Sequence, residues 1–304
     1  MSRVQVRQGE KIYDIPVQPG ESLLSALRRA GFSLPAACGG RGRCGKCRVQ
    51  VDGGPRLACK VFPRGGEQVA LPETASGVIL GDTLPPPPCQ PGRTGLSAAV
   101  DLGTTTVVVK LYDRAHGAEL AAQRAWNAQA PYGADVISRI QHTLDTPQGF
   151  SELSGRIRGQ IWAMLEAALS AAGRQAEELK EISVAGNTVM ESLFAGKSVA
   201  GMAAAPFRPD SLFFGPEGTG ELNGVPVRLL PCVAGYVGGD ITAGLMASGL
   251  GEKPGEHLFL DIGTNGEMAM GGKGGFSCCA VASGPAFEGA GIQCGMPGVD
   301  GAVS

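Results

Sequence analysis

An α+β unit followed by a larger α/β unit, joined by a proline-rich spacer, is the fold class that this sequence predicts. Three observations carry it. Residues 3–17 alternate apolar and polar about a turn, then lead into a short amphipathic helix and a cysteine-rich loop. Residues 81–95 contain four consecutive prolines. An apolar strand ending in Asp-x-Gly-Thr then occurs twice, at Asp101 and at Asp261. The expected limits are residues 1–80 for the first unit, 81–95 for the spacer and 96–304 for the second unit.

In the first unit, Val4 and Val6 face Ile12, Ile15 and Val17 across Gly9-Glu10, which reads as a hairpin. Pro19-Gly20-Glu21-Ser22 opens a helix with Leu23, Leu24, Leu27 and Ala30 on one face and Gly31 at its end. After the cysteine loop come a strand at Arg48–Val51, a turn at Gly53-Gly54, a return through Leu57–Cys59 and a last strand over 67–71. Together these describe a β-grasp ferredoxin. So small a core is marginal by itself, and a bound metal cluster would help to hold it.

The loop supplies Cys38, Cys44, Cys47 and Cys59 in the spacing C-x5-C-x2-C-x11-C. Interleaved glycines let backbone N–H groups approach inorganic sulfides and adopt left-handed conformations. The plant-type [2Fe–2S] pattern is C-x4-C-x2-C with a remote fourth cysteine; here the first gap is one residue longer and the fourth cysteine is near. Zinc is the rival reading, but zinc ribbons use two intact C-x2-C pairs, and only Cys44 and Cys47 make one, with no histidine beside them. Unrelated thiols are the third reading. Arg41, Arg43, Lys46 and Arg48 suit an anionic tetrathiolate and would lower the thiol pKa values, so a [2Fe–2S] cluster is favoured.

Composition excludes several classes. A net charge of −2 gives no electrostatic case for nucleic acid or a membrane surface, and no apolar run approaches the roughly 20 residues of a membrane span. The N-terminus lacks the apolar core of a signal peptide. Nine cysteines, an odd number with four committed to a cluster, suit a reducing cytoplasm better than a disulfide framework. The prolines of the spacer favour extended geometry, and Cys89 within it reads as a free thiol.

In the second unit, Ala98–Leu102 is a buried strand, Gly103-Thr104-Thr105-Thr106 a tight turn, and Val107–Tyr112 a second strand. Leu258–Ile262, Gly263-Thr264-Asn265-Gly266 and Met268–Met270 repeat the pattern. Backbone N–H groups and threonine hydroxyls at such turns can bind phosphate. An aspartate at the strand end can hold Mg²⁺ directly or through water. Two hairpins without ligand are the plain alternative. Between the copies, Ser151 caps a helix with Leu153, Ile157, Ile161, Leu165 and Leu169 on its core face, ending at Gly173. Glu181–Ala185 is a strand, and Asn187 reads as the N-cap of a helix running through Phe194. Residues 202–224 read as irregular. Gly238-Gly239-Asp240 opens a helix whose Ala243, Gly244, Ala247 and Ser248 permit close approach of a neighbour. Cys232, Cys278, Cys279 and Cys294 read as free thiols, since adjacent strand residues point to opposite faces. His116, His142 and His257 are isolated, against a histidine-based centre.

The paired turns, with the helix at 240–249 before the second, resemble the actin–hexokinase–sugar kinase superfamily. Joined to the ferredoxin, and with Gly186-Asn187-Thr188 and Ala282–Gly289, the whole chain resembles the reductive activators of corrinoid proteins. That resemblance implies an ATP- and Mg²⁺-dependent return of corrinoid Co(II) to Co(I). Phosphates would sit on Gly103–Thr106 and Gly263–Gly266, with Asp101 and Asp261 as the catalytic pair at magnesium. The implied partners are a corrinoid protein or corrinoid-dependent methyltransferase and a cellular electron donor. The alternative is a plain [2Fe–2S] carrier whose second unit docks a partner. Two departures shape the expectation: the spacer leads straight into the ATPase-like part without the middle domain of other members, and the superfamily's adenosine-binding glycine motif has no counterpart before Ser304. The resemblance therefore implies a longer chain.

Overall fold

The computed structural model describes residues 2–30, 32, 34, 36, 40–43, 45–72, 92–263 and 265–281. Cys38, Cys44, Cys89 and the spacer to residue 91, Thr264, the 282–289 motif and Cys294 lie outside the described residues. The described residues divide into two units, 2–72 with Ala130–Ala134, and 92–129 with 135–281.

In the first unit, β1 (Ser2–Gln8) and β2 (Lys11–Val17) pair antiparallel about Gly9-Glu10, with Val4 opposite Ile15. The Ser22 hydroxyl accepts from Ser25 N and caps α1 (Leu23–Arg29), which buries Leu23, Leu24 and Leu27. β3 (Arg48–Val51), β4 (Gly54–Leu57) and β5 (Gln68–Ala70) complete a sheet of order β2-β1-β5-β3-β4, with β1 and β5 parallel. This is the expected β-grasp arrangement. One boundary differs. The strand expected to run to Cys59 stops at Leu57: Ala58 N–H still donates to Cys47 O at 2.8 Å in the β3–β4 register, but Ala58–Lys60 then curls into a 3-10 turn closed by Val61 N–H donating to Ala58 O at 3.4 Å.

In the second unit, β6 (Leu96–Leu102), β7 (Thr106–Asp113) and β8 (Glu119–Trp126) form a meander. Helices α2 (Val136–Asp145) and α3 (Gly149–Ala171) follow, then β9 (Leu179–Gly186) and α4 (Thr188–Ala195). β10 (Thr219–Leu222) and β11 (Val225–Leu229) close a six-stranded sheet of order β10-β11-β9-β6-β7-β8. Helix α5 (Gly239–Ser248) packs against β9 on one side and β13 on the other. β12 (His257–Ile262), β13 (Gly266–Gly272) and β14 (Gly275–Val281) make a separate antiparallel sheet. The expected class, an α+β ferredoxin unit followed by an actin-like α/β unit, holds.

Leu153, Ile157, Ile161, Leu165 and Leu169 of α3 are all buried, each worth about 1.5–3 kcal/mol on leaving water. Ser151 is not the cap. The helix begins two residues earlier after Gln148, and the Ser151 hydroxyl donates to Gln148 O at 2.9 Å from inside the first turn. Residues 202–224 are not irregular throughout, for their last part is β10, turned back on β11 by Asn223 and Gly224 at φ 50° and 80°. That Asn-Gly pair is the commonest tight-hairpin signal. The small residues of α5 serve the close approach expected of them: a Cβ on Gly244 would collide with the Phe259 ring.

Gly238 packs on the backbone of Asn187 and the carbonyl of Gly186, where a Cβ would collide with both. Gly238→Ala is therefore expected to destabilise the larger unit by about 1–3 kcal/mol. Gly155→Ala, with open space at its Cβ in mid-α3, is expected to stabilise by roughly 0.5–1 kcal/mol. Both tryptophans, Trp126 and Trp162, lie in this unit, so fluorescence-detected urea unfolding reads each effect.

Candidate functional site

Two clusters of chemistry-bearing side chains stand out, one in each unit. In the smaller unit, Cys47 precedes β3 and Cys59 sits on the 3-10 turn tied back to it, which brings their Sγ atoms to 3.3 Å. Both are buried. A disulfide would need about 2.05 Å. Two sulfurs each about 2.3 Å from one tetrahedral metal stand on the order of 3.8 Å apart, so the pair fits two ligands of a metal centre. The loop wraps as a ligand loop must: Gly40, Gly42 and Gly45 have φ of 90°, 73° and 68°. A Cβ on Gly42 would collide with Cε of Lys60. The residues present thus fit a cluster, with Cys38 and Cys44 as the other ligands expected from sequence.

In the larger unit, β6 and β12 each end in their Asp-x-Gly-Thr turn, and α5 begins between them. Asp101, Asp240, Asp261 and Glu267 act on one another electrostatically across this junction. Asp261 pairs with Glu267 across the β12–β13 hairpin, on the face turned toward α5. Asp101 opens to solvent on one side while protein crowds the others, and burial together with Asp261 raises its pKa. Burial raises Asp261 as well. Asp240, in the first turn of α5, is pushed up to about 6 by burial, reinforced by Asp261 and Asp101. Burial, then Asp240 and Asp261, push Glu267 to about 8. Four carboxyl groups so placed resist ionising together, and a cation or a proton relieves them. Among the described residues, however, no three His, Cys, Asp or Glu groups stand close enough to hold a metal ion directly. A cation here would be met through water.

The first turn is held from behind. Gly103 O accepts from Asn127 Nδ2 at 2.8 Å, and Thr104 O accepts from the fully buried Arg139 guanidinium. Arg139 also donates to Gln129 Oε1 at 3.0 Å, and burial pulls its pKa down to about 9, still charged at neutral pH. Asn187 caps α4 by accepting from Met190 N at 3.0 Å, and its amide donates to Thr104 Oγ1 at 2.8 Å. Thr104 therefore turns inward, while Thr105 and Thr106 are half-exposed. In the second turn, Gly263 N donates to Asn265 O at 3.0 Å, and Gly266 starts β13.

Between the end of β9 and the start of α5 lies Glu191, fully buried. Its Oε1 accepts from Gly186 N at 2.9 Å, and the Cys232 thiol donates to its Oε2 at 3.5 Å. Burial pushes Glu191 to about 9, so it is a neutral acid, and burial also pushes the Cys232 thiol up. A Cβ on Gly239 would collide with Glu191 Oε1, so this carboxyl lies against the start of α5. Sequence reasoning missed Arg139, Asn127, Glu191, Asp240 and Glu267 as site residues. Asp240 opens the Gly238-Gly239-Asp240 helix start and Glu267 directly follows the second turn, so both stand beside local signals. The others carry no local signal.

Comparison with known proteins adds the following. Residues 7–64 match the 2Fe–2S iron–sulfur cluster binding domain, residues 96–253 the RACo middle region, and residues 256–304 the C-terminal domain of RACo, the ASKHA domain. The expectation that no middle region follows the spacer is thereby corrected: the stretch carrying Asp101 is that region. The corrinoid activation enzyme RamQ of Eubacterium limosum is 32% identical over 217 residues, which are 67% of this chain and 35% of RamQ. A component of the Na(+)-translocating NADH-quinone reductase of Pseudoalteromonas atlantica is 33% identical over 88 residues, 22% of each chain. A solved structure, a reductive activator for corrinoid, iron-sulfur protein, superposes with a TM-score of 0.61 at 26% identity, covering 97% of this chain and 65% of that one. The chain spans about a third of the length of RamQ.

Two outcomes are expected. Cys59→Ser should lose most of the bound iron on gel filtration, whereas Cys279→Ser, exposed in the other unit, should retain it. Between about pH 4.5 and 9 the folded chain holds one proton on Glu191 that the unfolded chain has released. Stability therefore falls as pH rises through that window, by up to about 1.4 kcal/mol per unit. Glu191→Gln, which cannot titrate, should make the fall in urea-unfolding stability between about pH 5 and 8 shallower by that amount, with the raised Asp240 and Glu267 leaving the remainder.

Proposed function

The chain belongs to the RACo family, and on that premise we propose that it delivers single electrons to a corrinoid protein in a process coupled to MgATP. The observation that carries this is the covalent union of a paired-thiol ferredoxin unit with a unit in which Asp101 and Asp261 of two Asp-x-Gly-Thr turns act on each other. The relatives named for corrinoid activation support the choice of acceptor.

A [2Fe–2S] group bound at Cys38, Cys44, Cys47 and Cys59 supplies one-electron transfer. The glycine loop lets the backbone close around it, and the buried sulfurs of Cys47 and Cys59 keep it out of bulk water. In the larger unit, the turns Gly103–Thr106 and Gly263–Gly266 would supply donors to the phosphates, apart from the Gly263 N–H, which is already given to Asn265 O. Asp101 and Asp261 would hold Mg²⁺ through water, and its charge would let the four carboxyl groups ionise together. Helix α5, packed on β9 and β13, carries a change at one turn to the other. The net step takes one electron from a cellular reductant and gives it to Co(II), leaving Co(I). A coupling of about 1–3 kcal/mol between sites moves a one-electron equilibrium by only ~45–130 mV. Nucleotide must therefore favour a complex in which cobalt ligation changes, beyond tuning the cluster.

The test is reduction of a Co(II) corrinoid protein by the cluster-loaded chain, followed by Co(I) absorbance with and without MgATP. MgATP should accelerate it, and Asp101→Ala or Asp261→Ala should remove that acceleration by roughly tenfold or more with the cluster spectrum unchanged. Equal rates in all three proteins would make the chain a plain electron carrier.

A further inference from the structure

Charge is distributed very unevenly along this chain. Residues 1–72 hold twelve Lys and Arg against five Asp and Glu, a net +7, while the whole chain is −2. The remainder, with fourteen basic and twenty-three acidic residues, is −9. Within the smaller unit the imbalance concentrates around the thiols. Positions 38–64 contain seven basic residues and a single acid, Asp52, a net +6. Asp14 and Glu21, elsewhere in the unit, are engaged by Arg3 at 2.6 Å and Arg29 at 2.8 Å.

These charges share one place in the fold. The stem of Lys60 lies against Gly42, so the loop bearing Arg41 and Arg43 meets the turn bearing Cys59. Arg48 Nε donates to Gly45 O at 3.2 Å, which holds that guanidinium by the loop next to Cys47. Arg41, Arg43, Arg48 and Lys60 are exposed. Neutralising a bound cluster does not use them up: two ferric ions, two sulfides and four thiolates sum to roughly −2, and roughly −3 after one electron is taken up. Positive charge remains in excess in either state.

We propose that the basic surface around Cys47 and Cys59 is a docking face for an acidic protein surface, the face through which electrons enter or leave. This rests on the [2Fe–2S] reading of the four cysteines. Redox partners meet through small, transient interfaces, and opposite charge raises their encounter rate and orients the approach. A nucleic acid is the disfavoured polyanion, because the −9 carried by the rest of the chain repels a long one. An acidic patch of limited extent avoids that penalty.

The test uses the full chain loaded with its cluster. Binding of a fluorescent glutamate-rich peptide is read by anisotropy beside an oligothymidylate of equal charge. Separately, oxidation of the reduced cluster by anionic ferricyanide is compared with oxidation by cationic hexaammineruthenium(III). In each case one electron leaves the cluster for the oxidant. Between about 20 and 200 mM salt, peptide binding and the ferricyanide rate should fall by roughly tenfold, while the ruthenium rate rises. The double variant Arg43→Gln/Lys60→Gln, checked for unchanged iron content, should weaken both salt-sensitive effects. Rates indifferent to salt, tighter binding of the oligonucleotide than of the peptide, or a fully active double variant would each overturn the proposal. A chain that takes up no iron but still binds the peptide in the salt-sensitive manner would sink the cluster reading and leave the acidic-partner face standing.

Discussion

Like charges held close together in a partly dry place are the constraint on which the larger unit turns. Asp101 ends one strand, Asp261 another, Asp240 opens the helix between them and Glu267 lies across the hairpin. Burial drives every one toward its protonated form, and neighbouring carboxyl groups add to that at Asp101, Asp240 and Glu267. A proton or a cation relieves such a group. The neutral Glu191, the capping Asn187 and the buried Arg139 fix the backbone at Gly186 and Thr104, so the first turn, which follows Asp101, is held in place.

The smaller unit solves the opposite problem. There the anion is the tetrathiolate centre that Cys47 and Cys59 are placed to hold, and the polypeptide around it is basic. Glycines at positive φ let the loop close without side chains between sulfur and backbone. Sheet, helix α1 and thiol loop share one core, in which Leu24, Val49 and Cys47 are buried together. Losing such a centre would loosen that whole core.

Much of this was legible in the sequence because its signals are local. The hairpin at Gly9-Glu10, the Ser22 cap, the apolar stripe of α3 and the repeated Asp-x-Gly-Thr turns each declare themselves within a few residues. The Asn223-Gly224 hairpin was equally local and was overlooked inside a Pro- and Gly-rich stretch. What could not be read was long-range. Arg139 in an amphipathic helix looks like a solvent-facing charge until β6, Gln129 and Met190 close over it. Glu191 looks like a first-turn acid of α4, and only the start of α5, about fifty residues on, makes it a buried one. The boundary at Leu57 moved because Ala58–Lys60 curls into a 3-10 turn just past the ladder, while Ala58 keeps an in-register bond to Cys47. That same bond sets the thiol pair.

The central claim is that the carboxyl-lined turns are built to receive a nucleotide with its cation. Calorimetric titration of the cluster-loaded chain with ATP, with and without Mg²⁺, tests it most directly. MgATP should bind far more tightly than free ATP, whose phosphates the carboxylates repel, and Asp261→Asn should narrow that difference by roughly tenfold. Equal affinity for the two forms, or a difference that survives Asp261→Asn unchanged, would contradict the account.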